Sequence, residues 1–426
     1  MADTEHNVLT DPELHEPKGI AAASANQVYV ADGAASGSFA QVSPSNKVMV
    51  HSASDFPSAI AGIRTLTSNT AYHVVGDISI GSDRLVMSAS TSLVGNNPLV
   101  DKLTTTNAGA MITSADDCLI TGLGFTCSSG DLISFTGGGT KQLIIDNCRV
   151  ISCDTLGTVT TAALCRMTKN TVVACITDGI TFAGTGGHLH IEGGAYDSTL
   201  GSVFDLGTSV WTTIHILAVQ INNPAGVTGI TVAASGANLS SAGIGFILDN
   251  YIETVATATS GYSVGDLKWI VKGNPGVQNN TGQAQGSIES SALTTTFAGT
   301  GAGNDVAVNF GAAFVSDVAK KFTVSTAGVI TYTGVIPISV YVDCTMFGSI
   351  AGGAARQYNY YVAKGGTIIE SSVSKREYDG TNVGANSCTS VVDLVTSDTI
   401  TLRVRAETAT TALTVNTCSI TVTEVQ

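Results

Sequence analysis

The sequence predicts an all-β protein in which a right-handed parallel β-helix is followed by an antiparallel jelly-roll sandwich. Two patterns support this fold class: a short apolar strand ending in a polar or glycine turn recurs through the middle of the chain, and longer alternating strands fill the C-terminal part. Composition agrees, because 12% of the 426 residues are charged and 47 are glycine, against roughly 25% charged residues in an average soluble domain. A helical bundle or a coiled coil is therefore excluded.

Composition also limits the partners and the compartment. The net charge of −14 argues against nucleic acid, because phosphate binding needs clustered Lys and Arg. Neither a signal peptide nor a long apolar run is recognisable, so we expect no membrane partner and folding in a reducing cytoplasm. The nine cysteines form no CxxC pair and no zinc-like spacing with histidine. We expect mainly buried free thiols, with disulfides or a metal site as alternatives.

The recurring strand divides the chain into three regions. Residues 1–47 are a polar N-terminal segment, residues 48–285 carry the repeat, and residues 286–426 hold the longer alternating strands. The repeat units are 118–122, 143–147, 165–169, 189–193, 214–218 and 246–250, and their first turn residues are 25, 22, 24, 25 and 32 residues apart. These steps are shorter than those of helical repeats, so each unit is one rung of the β-helix, the last with an insertion. Weaker rungs are expected at 72–80 and 91–98.

The two-residue period of a strand predicts which side chains face outward. The positions one and three residues before each turn are apolar in every unit, so we expect them to point inward. The position between them points outward, and there Leu119, Ile144 and Ile247 are more apolar side chains than a free monomer surface exposes in one column. We therefore predict that this column packs against other copies in a homotrimer. Its predicted interface residues are Leu119, Ile144, His190, His215 and Ile247.

The C-terminal region is predicted to hold strands at 338–344, 357–362, 399–405 and 418–425, separated by glycine turns. Its segments 329–334, 358–362, 391–395 and 398–402 resemble the tumour necrosis factor-like jelly roll of many phage fibre and spike proteins. That family is trimeric, with flat aromatic faces packed around an axis. The resemblance implies that Tyr358 and Tyr360 belong to the trimer interface.

The N-terminal segments 13–19, 28–33 and 37–39 resemble a short module of tailed-phage virion proteins. The resemblance implies an attachment segment that docks the protein onto the particle. The residues it implies in anchoring are Leu14, His15, Glu16, Pro17, Lys18, Gly19, Tyr29, Asp32 and Gly33.

The middle region resembles β-helical phage spikes and decoration proteins at the level of fold, and β-helices often carry polysaccharide hydrolases. A hydrolase site needs two carboxylates on either side of the scissile bond, for which the rungs offer Asp178, Glu192, Asp197 and Asp205. Asp146, Glu192 and Asp249 are better explained as turn residues. Sugar clefts also favour exposed tryptophan, and the chain has only two. Since no nucleophile elbow, P-loop or dinucleotide motif is present either, we expect no enzyme, no catalytic residue and no cofactor.

Three histidines are the other candidate site. His188 and His190 share an outward face, and His215 lies one rung above His190. Stacked imidazoles could hold a metal or an anion, but a metal site also needs fixed geometry and supporting partners. We therefore expect surface or interface histidines and no metal site, with ion binding left open.

These observations favour a homotrimeric virion structural protein, assembled in the host cytoplasm and attached through its N-terminal segment. The expected role is capsid decoration or cementing, or a short head fibre. The alternatives are a receptor-binding tail fibre or spike and, from another class, a glycan-degrading tailspike. The expected partners are further copies of the chain, capsid or tail proteins, and a host surface glycan or protein.

Overall fold

The computed structural model describes residues 27–31, 37–41, 46–198, 201–222, 228–233, 237–253, 257–263, 266–380 and 382–425. Near the N-terminus, Gln27–Ala31 and Gly37–Gln41 pair as an antiparallel hairpin, of which the backbone is described. Beyond it, the described residues form a parallel β-helix of about nine turns and then antiparallel sheets. The predicted all-β class, a parallel β-helix followed by antiparallel sheets, is confirmed.

Three parallel sheets form the β-helix, and the chain passes through sheet I, sheet II and sheet III in each turn. The described strands of sheet I are Asn46–Val50, Thr70–Val74, Thr91–Val94, Cys118–Thr121, Gln142–Asp146, Leu164–Thr168, Thr185–Glu192, Val210–Leu217, Leu239–Leu248 and Trp269–Lys272. Those of sheet II are Asp77–Ser79, Lys102–Thr105, Gly124–Cys127, Arg149–Ser152, Thr171–Cys175, Ala195–Ser198, Gln220–Asn222 and Tyr251–Glu253. Those of sheet III are Ile63–Thr65, Arg84–Met87, Ile112–Ser114, Ile133–Thr136, Gly157–Thr160, Ile180–Ala183, Phe204–Asp205, Thr228–Thr231 and Thr257–Ser260. A three-residue 3-10 turn, Ala53–Asp55, follows the first strand of sheet I.

The predicted rungs coincide with sheet I, and their inner column is apolar throughout. Equivalent residues of successive strands stack in register in the order Ile120, Ile145, Met167, Ile191, Ile216 and Ile247. All six are buried in the core of the β-helix. Because a parallel ladder places identical positions directly above one another, one apolar position per repeat is enough to build a continuous core.

Ile247 corrects one prediction. It pairs with Ile216 of the inner column and is fully buried, so it is not an outward interface residue. Phe246 takes the outward position beside His215. The cause is a shift of one residue in the predicted alignment of this unit. Leu248, and not Asp249, pairs with Leu217 at the strand end, and Asp249 is the left-handed corner residue equivalent to Ala218.

The corner between sheet I and sheet II explains the turn residues. The first corner residue adopts a left-handed conformation at Asn147, Lys169 and Asp249, with φ of 50°, 55° and 54°. The next position holds buried asparagines in several turns, including Asn250, whose carboxamide accepts from the Val219 N–H (3.0 Å) and donates to the Ile216 carbonyl (2.9 Å). These asparagines satisfy backbone groups that the sharp corner removes from the ladder.

Both tryptophans are inner residues of sheet I, and each lies on a glycine of the preceding strand. Gly186 pairs with Trp211 and Gly245 pairs with Trp269. A Cβ added at Gly186 would lie 2.2 Å from the Trp211 ring. The glycines are therefore needed for the close approach of an indole.

The C-terminal region contains two antiparallel sheets. In spatial order, the five-stranded sheet consists of Val315–Lys320, Gln283–Thr295, Leu413–Glu424, Ile338–Ile350 and Gly384–Leu394. The seven-stranded sheet consists of Phe322–Val324, Ile330–Tyr332, Thr399–Ala406, Arg356–Lys364 and Thr367–Ile368, with Val306–Ala307 on the third of these strands and Ser374–Tyr378 on the fourth. Glu370–Ser372 is a short 3-10 turn. Buried side chains of both sheets form one hydrophobic cluster, separate from that of the β-helix.

Tyr358 and Tyr360 belong to this cluster and not to an exposed face. Both are buried, Tyr358 donates to the Thr411 carbonyl (2.7 Å), and Tyr360 bonds the Tyr378 hydroxyl (3.0 Å). The assignment of the two tyrosines to a trimer interface is therefore wrong. Their strand, Arg356–Lys364, is covered on both sides, because Asn359 and Tyr361 on its opposite face are buried as well.

The predicted buried thiols are confirmed, since each of the nine cysteines is free and buried. Within the described residues, no helix has the length and apolarity that crossing a membrane requires.

Candidate functional site

The outward column of sheet I is the candidate site with the most chemistry. Leu119, Ile144, Arg166, His190 and His215 stack in register on successive strands. The outward facing predicted for four of them is correct: Leu119 is 39% exposed, and the other three are partly exposed. The stripe is not continuously apolar, however, because the exposed Arg166 separates its aliphatic half from its imidazole half.

A polar groove of about 470 Å³ opens beside this column. A second outward column, Asp146, Thr168 and Glu192, runs parallel to the first along the end of the strands. The groove is lined by Asp146, Arg166, Thr168, Lys169, His190, Glu192, Gly193 and Ala218. It is open because the corner residues of the upper two strands, Gly193 and Ala218, have little or no side chain.

Hydrogen bonds hold both carboxylates of the groove in place. The Thr168 hydroxyl donates to Asp146 Oδ1, and His190 Nε2 lies 2.9 Å from Glu192 Oε2. Arg166 and Lys169, in contrast, form no ion pair and no side-chain hydrogen bond with the described residues. The arrangement therefore presents two available cations between two oriented carboxylates.

The three histidines lie together as predicted. The rings of His190 and His215 are 5.6 Å apart, His215 lies 4.7 Å from the Phe246 ring, and His188 Nδ1 is 2.5 Å from the Thr213 hydroxyl. Burial lowers the pKa of His215, and the charges of His190 and His188 lower it further. Over the described part of the chain, no group of three or more His, Cys, Asp and Glu side chains is placed to hold a metal ion.

The predicted hydrolase carboxylates are spread over the three sheets of the β-helix. Asp197 lies in sheet II, Asp205 lies in sheet III, and Glu192 projects from sheet I. Asp178 precedes the sheet III strand Ile180–Ala183. Asp249 is a corner residue as expected, whereas Asp146 and Glu192 end their strands and line the groove. Their interpretation as turn residues is therefore wrong. Trp211 and Trp269 are buried and offer no sugar-stacking surface.

The predicted anchoring residues cannot be placed. Leu14, His15, Glu16, Pro17, Lys18, Gly19, Asp32 and Gly33 lie outside the described residues. Tyr29 lies in the strand Gln27–Ala31, whose side chains are likewise not described.

A second surface was not predicted from the sequence. On the outer side of the five-stranded sheet, Tyr341 is 47% exposed, Phe347 45% and Val391 62%. Tyr341 pairs directly with Val391 across two strands. The period-two pattern of Ile338–Ile350 carried the signal, since its outward positions include two aromatic residues.

Comparison with known proteins gives distant likenesses. No family model and no curated protein matches this chain. Among solved structures, it is similar to Eiger TNF from S. frugiperda, with 12% identity and a TM-score of 0.22 over 34% of this chain and 93% of that one. It is also similar to the enzymatically active domain of tailspike protein 4 of bacteriophage CBA120, with 9% identity and a TM-score of 0.16 over 84% of this chain and 64% of that one. The tailspike protein of an Acinetobacter phage has 8% identity and a TM-score of 0.18, over 84% of this chain and 81% of that one.

Proposed function

We propose that this chain is a homotrimeric structural protein of a tailed-phage virion, attached to the particle through residues 1–47 and decorating or cementing the capsid. The observation that supports self-association is the outer face of the five-stranded sheet. Its exposed apolar residues Tyr341, Phe347 and Val391 are flanked in register by Thr423, Thr417 and Ala385. Asp343 lies on the same face between Tyr341 and Phe347, so the exposed apolar residues are interrupted by one carboxylate. Apolar side chains mixed with polar ones are usual in protein–protein contacts.

Burial of these three side chains would stabilise a trimer substantially, at roughly 1.5–3 kcal/mol for each large apolar side chain that is fully covered. Sheet I is a poorer contact than the sequence predicted. Arg166 on sheet I and Asp343 on the five-stranded sheet both lack an ion pair among the described residues, so each face would bury one charge at a cost. The five-stranded sheet is favoured because it exposes three large apolar side chains, whereas the column of sheet I has one, Leu119, that is as much as 39% exposed. The proposal therefore moves the main trimer contact from sheet I to the five-stranded sheet.

The test of assembly is the mass in solution. The intact chain is expected to run at three times its 43.3 kDa. The double variant Tyr341→Asp/Val391→Asp is expected to be a folded monomer, because it places two carboxylates in the contact. Tyr251→Asp changes a tyrosine that is 52% exposed on the β-helix and serves as the matched control that stays trimeric. A monomeric wild-type chain, or a trimeric double variant, would contradict the assembly.

The test of location is the number of copies per particle. Decoration of the capsid predicts a copy number proportional to the capsid lattice, whereas a tail fibre or spike predicts the few copies that a tail carries. Removal of residues 1–40 is expected to abolish attachment and to leave the trimer intact. Continued attachment of the truncated chain would remove the anchoring role of this segment.

A further inference from the structure

We propose that the polar groove on sheet I binds an acidic carbohydrate, with the carboxylate of a uronic acid residue on Arg166 and Lys169 and its hydroxyl groups on Asp146, Thr168 and Glu192. The groove volume of about 470 Å³ lies within the range of small-ligand sites. The site is built from consecutive turns of one chain, so the inference does not depend on the trimer.

The cations identify the acidic part of the ligand. Among the described Lys and Arg residues only Arg64, Lys102, Lys141, Lys364, Arg403 and Arg405 form ion pairs, so a single unpaired cation does not by itself indicate a ligand. Arg166 and Lys169 are nevertheless three positions apart at one turn and have no partner among the described residues. A guanidinium binds a carboxylate through two parallel N–H···O bonds, and the lysine adds a point charge.

The carboxylates identify the hydroxylated part. Asp146 and Glu192 lie on the turns below and above Thr168, and two strand spacings separate them by about 9.6 Å. Ionised carboxylates accept hydrogen bonds only, so they favour a ligand rich in O–H donors. A simple anion would be repelled by them, whereas a sugar acid satisfies cations and carboxylates together.

The same sheet offers room for further sugar units. A second groove of about 390 Å³ begins where Ile144 adjoins Arg166 and extends over Leu119 to Ser92. Its floor combines aliphatic side chains with the amide of Gln142 and the hydroxyl of Ser92. The apolar faces of sugar rings can pack on such a floor while their hydroxyls bond its rim. An oligosaccharide would thus run along the column of turns.

Calorimetric titration of the full-length protein tests the proposal, with a tetragalacturonate and its fully methyl-esterified form as probes. The ester keeps the ring hydroxyls and loses the charge, so it is expected to bind at least tenfold more weakly. Arg166→Gln is expected to weaken tetragalacturonate binding by about tenfold or more, the effect of losing a charge-assisted pair. Arg149→Gln, the same change on sheet II, is the matched control and should bind normally.

Three results would overturn the proposal: no binding of tetragalacturonate, equal affinity for the acid and the ester, or unchanged binding by Arg166→Gln. Asp146→Asn adds an independent arm: it is expected to weaken binding of the neutral ester, which loses a charged hydrogen-bond acceptor, and to weaken binding of tetragalacturonate less, because loss of the carboxylate also relieves its repulsion of the uronate. An unchanged affinity for the ester would remove the hydroxyl contacts. The monomeric variant Tyr341→Asp/Val391→Asp is expected to bind tetragalacturonate with wild-type affinity per chain. An experiment that contradicts carbohydrate binding can therefore be distinguished from one that contradicts the trimer.

Discussion

Replacement of Asn250 by alanine is expected to lower the free energy of unfolding of the β-helix, because its carboxamide supports the backbone of a buried corner. The carboxamide is buried at the corner between sheet I and sheet II. It bonds the Val219 N–H and the Ile216 carbonyl, and it donates to Asn274 Oδ1 at 2.9 Å. Alanine leaves the buried Val219 N–H without its partner and removes one bond from the Ile216 carbonyl, which also belongs to the parallel ladder.

The magnitude follows from the number of groups that lose a partner. A buried polar group without a hydrogen bond costs about 1–3 kcal/mol. The unpaired Val219 N–H therefore gives a loss of about 1–3 kcal/mol in the free energy of unfolding. Asn279→Ala, which removes an exposed asparagine later in the chain, is the matched control and should change the free energy of unfolding by less than about 0.5 kcal/mol.

Urea unfolding followed by tryptophan fluorescence is the appropriate assay. The chain has two tryptophans, and both are buried in sheet I, so the signal reports the β-helix and not the C-terminal sheets. The midpoint is expected to fall while the slope with denaturant stays unchanged, since the surface exposed on unfolding is the same. A loss below about 1 kcal/mol would show that the corner does not depend on this carboxamide.

Three further changes test other parts of the argument. Gly186→Ala is expected to cost about 1–3 kcal/mol by forcing a Cβ against Trp211. Gly109→Ala, in the β-helix, adds a Cβ that comes no closer than 3.4 Å to another atom and should be nearly neutral in the same urea assay. Asp101 is subject to a burial effect that raises its pKa, but backbone N–H groups of residues 76, 96 and 97 lower it more strongly. The contribution of Asp101 to the free energy of unfolding should be present above pH 3.8 and disappear as the pH falls through the lower folded pKa. Asp101→Asn should therefore destabilise the protein at pH 7 and converge in stability with the wild type in acid. A difference in stability that is constant at all pH values would refute this. Burial is the largest cause that lowers the pKa of His215, so the contribution of this residue to the free energy of unfolding should be complete above pH 6.5 and be lost on acidification. His215→Gln should therefore flatten the dependence of stability on pH between pH 7 and 5. An unchanged dependence would contradict this.

The β-helix was predictable because the same pattern of inward and outward side chains recurs in each turn. The same reasoning failed at Phe246, Ile247 and Leu248, because the last unit was aligned at Asp249 whereas its strand-end residue is Leu248. It failed differently at Tyr358 and Tyr360. Their strand was located correctly, but burial on both faces cannot be inferred from one strand's pattern, since it depends on what other segments cover it.

The groove was harder to predict than the strands. Its carboxylates, cations and hydroxyl come from three consecutive turns, and none of them forms a local motif. The signal existed in the aligned repeat, where Ile144, Arg166 and His190 fill one outward position and Asp146, Thr168 and Glu192 fill another. What the sequence alone could not show is that Gly193 and Ala218 leave the space beside them open.

The two proposed surfaces together make a further prediction about a polymeric ligand. If chains associate through the five-stranded sheet, sheet I of each chain stays exposed, and one trimer carries three grooves. Tetragalacturonate should then bind the trimer and the Tyr341→Asp/Val391→Asp monomer with equal affinity per chain. A surface coated with long polygalacturonate should retain the trimer far better, because linked sites can raise overall affinity by about 10²–10⁴. Equal retention of trimer and monomer would mean that the grooves cannot engage one surface together, and weaker binding of tetragalacturonate by the trimer would mean that sheet I is covered in the assembly.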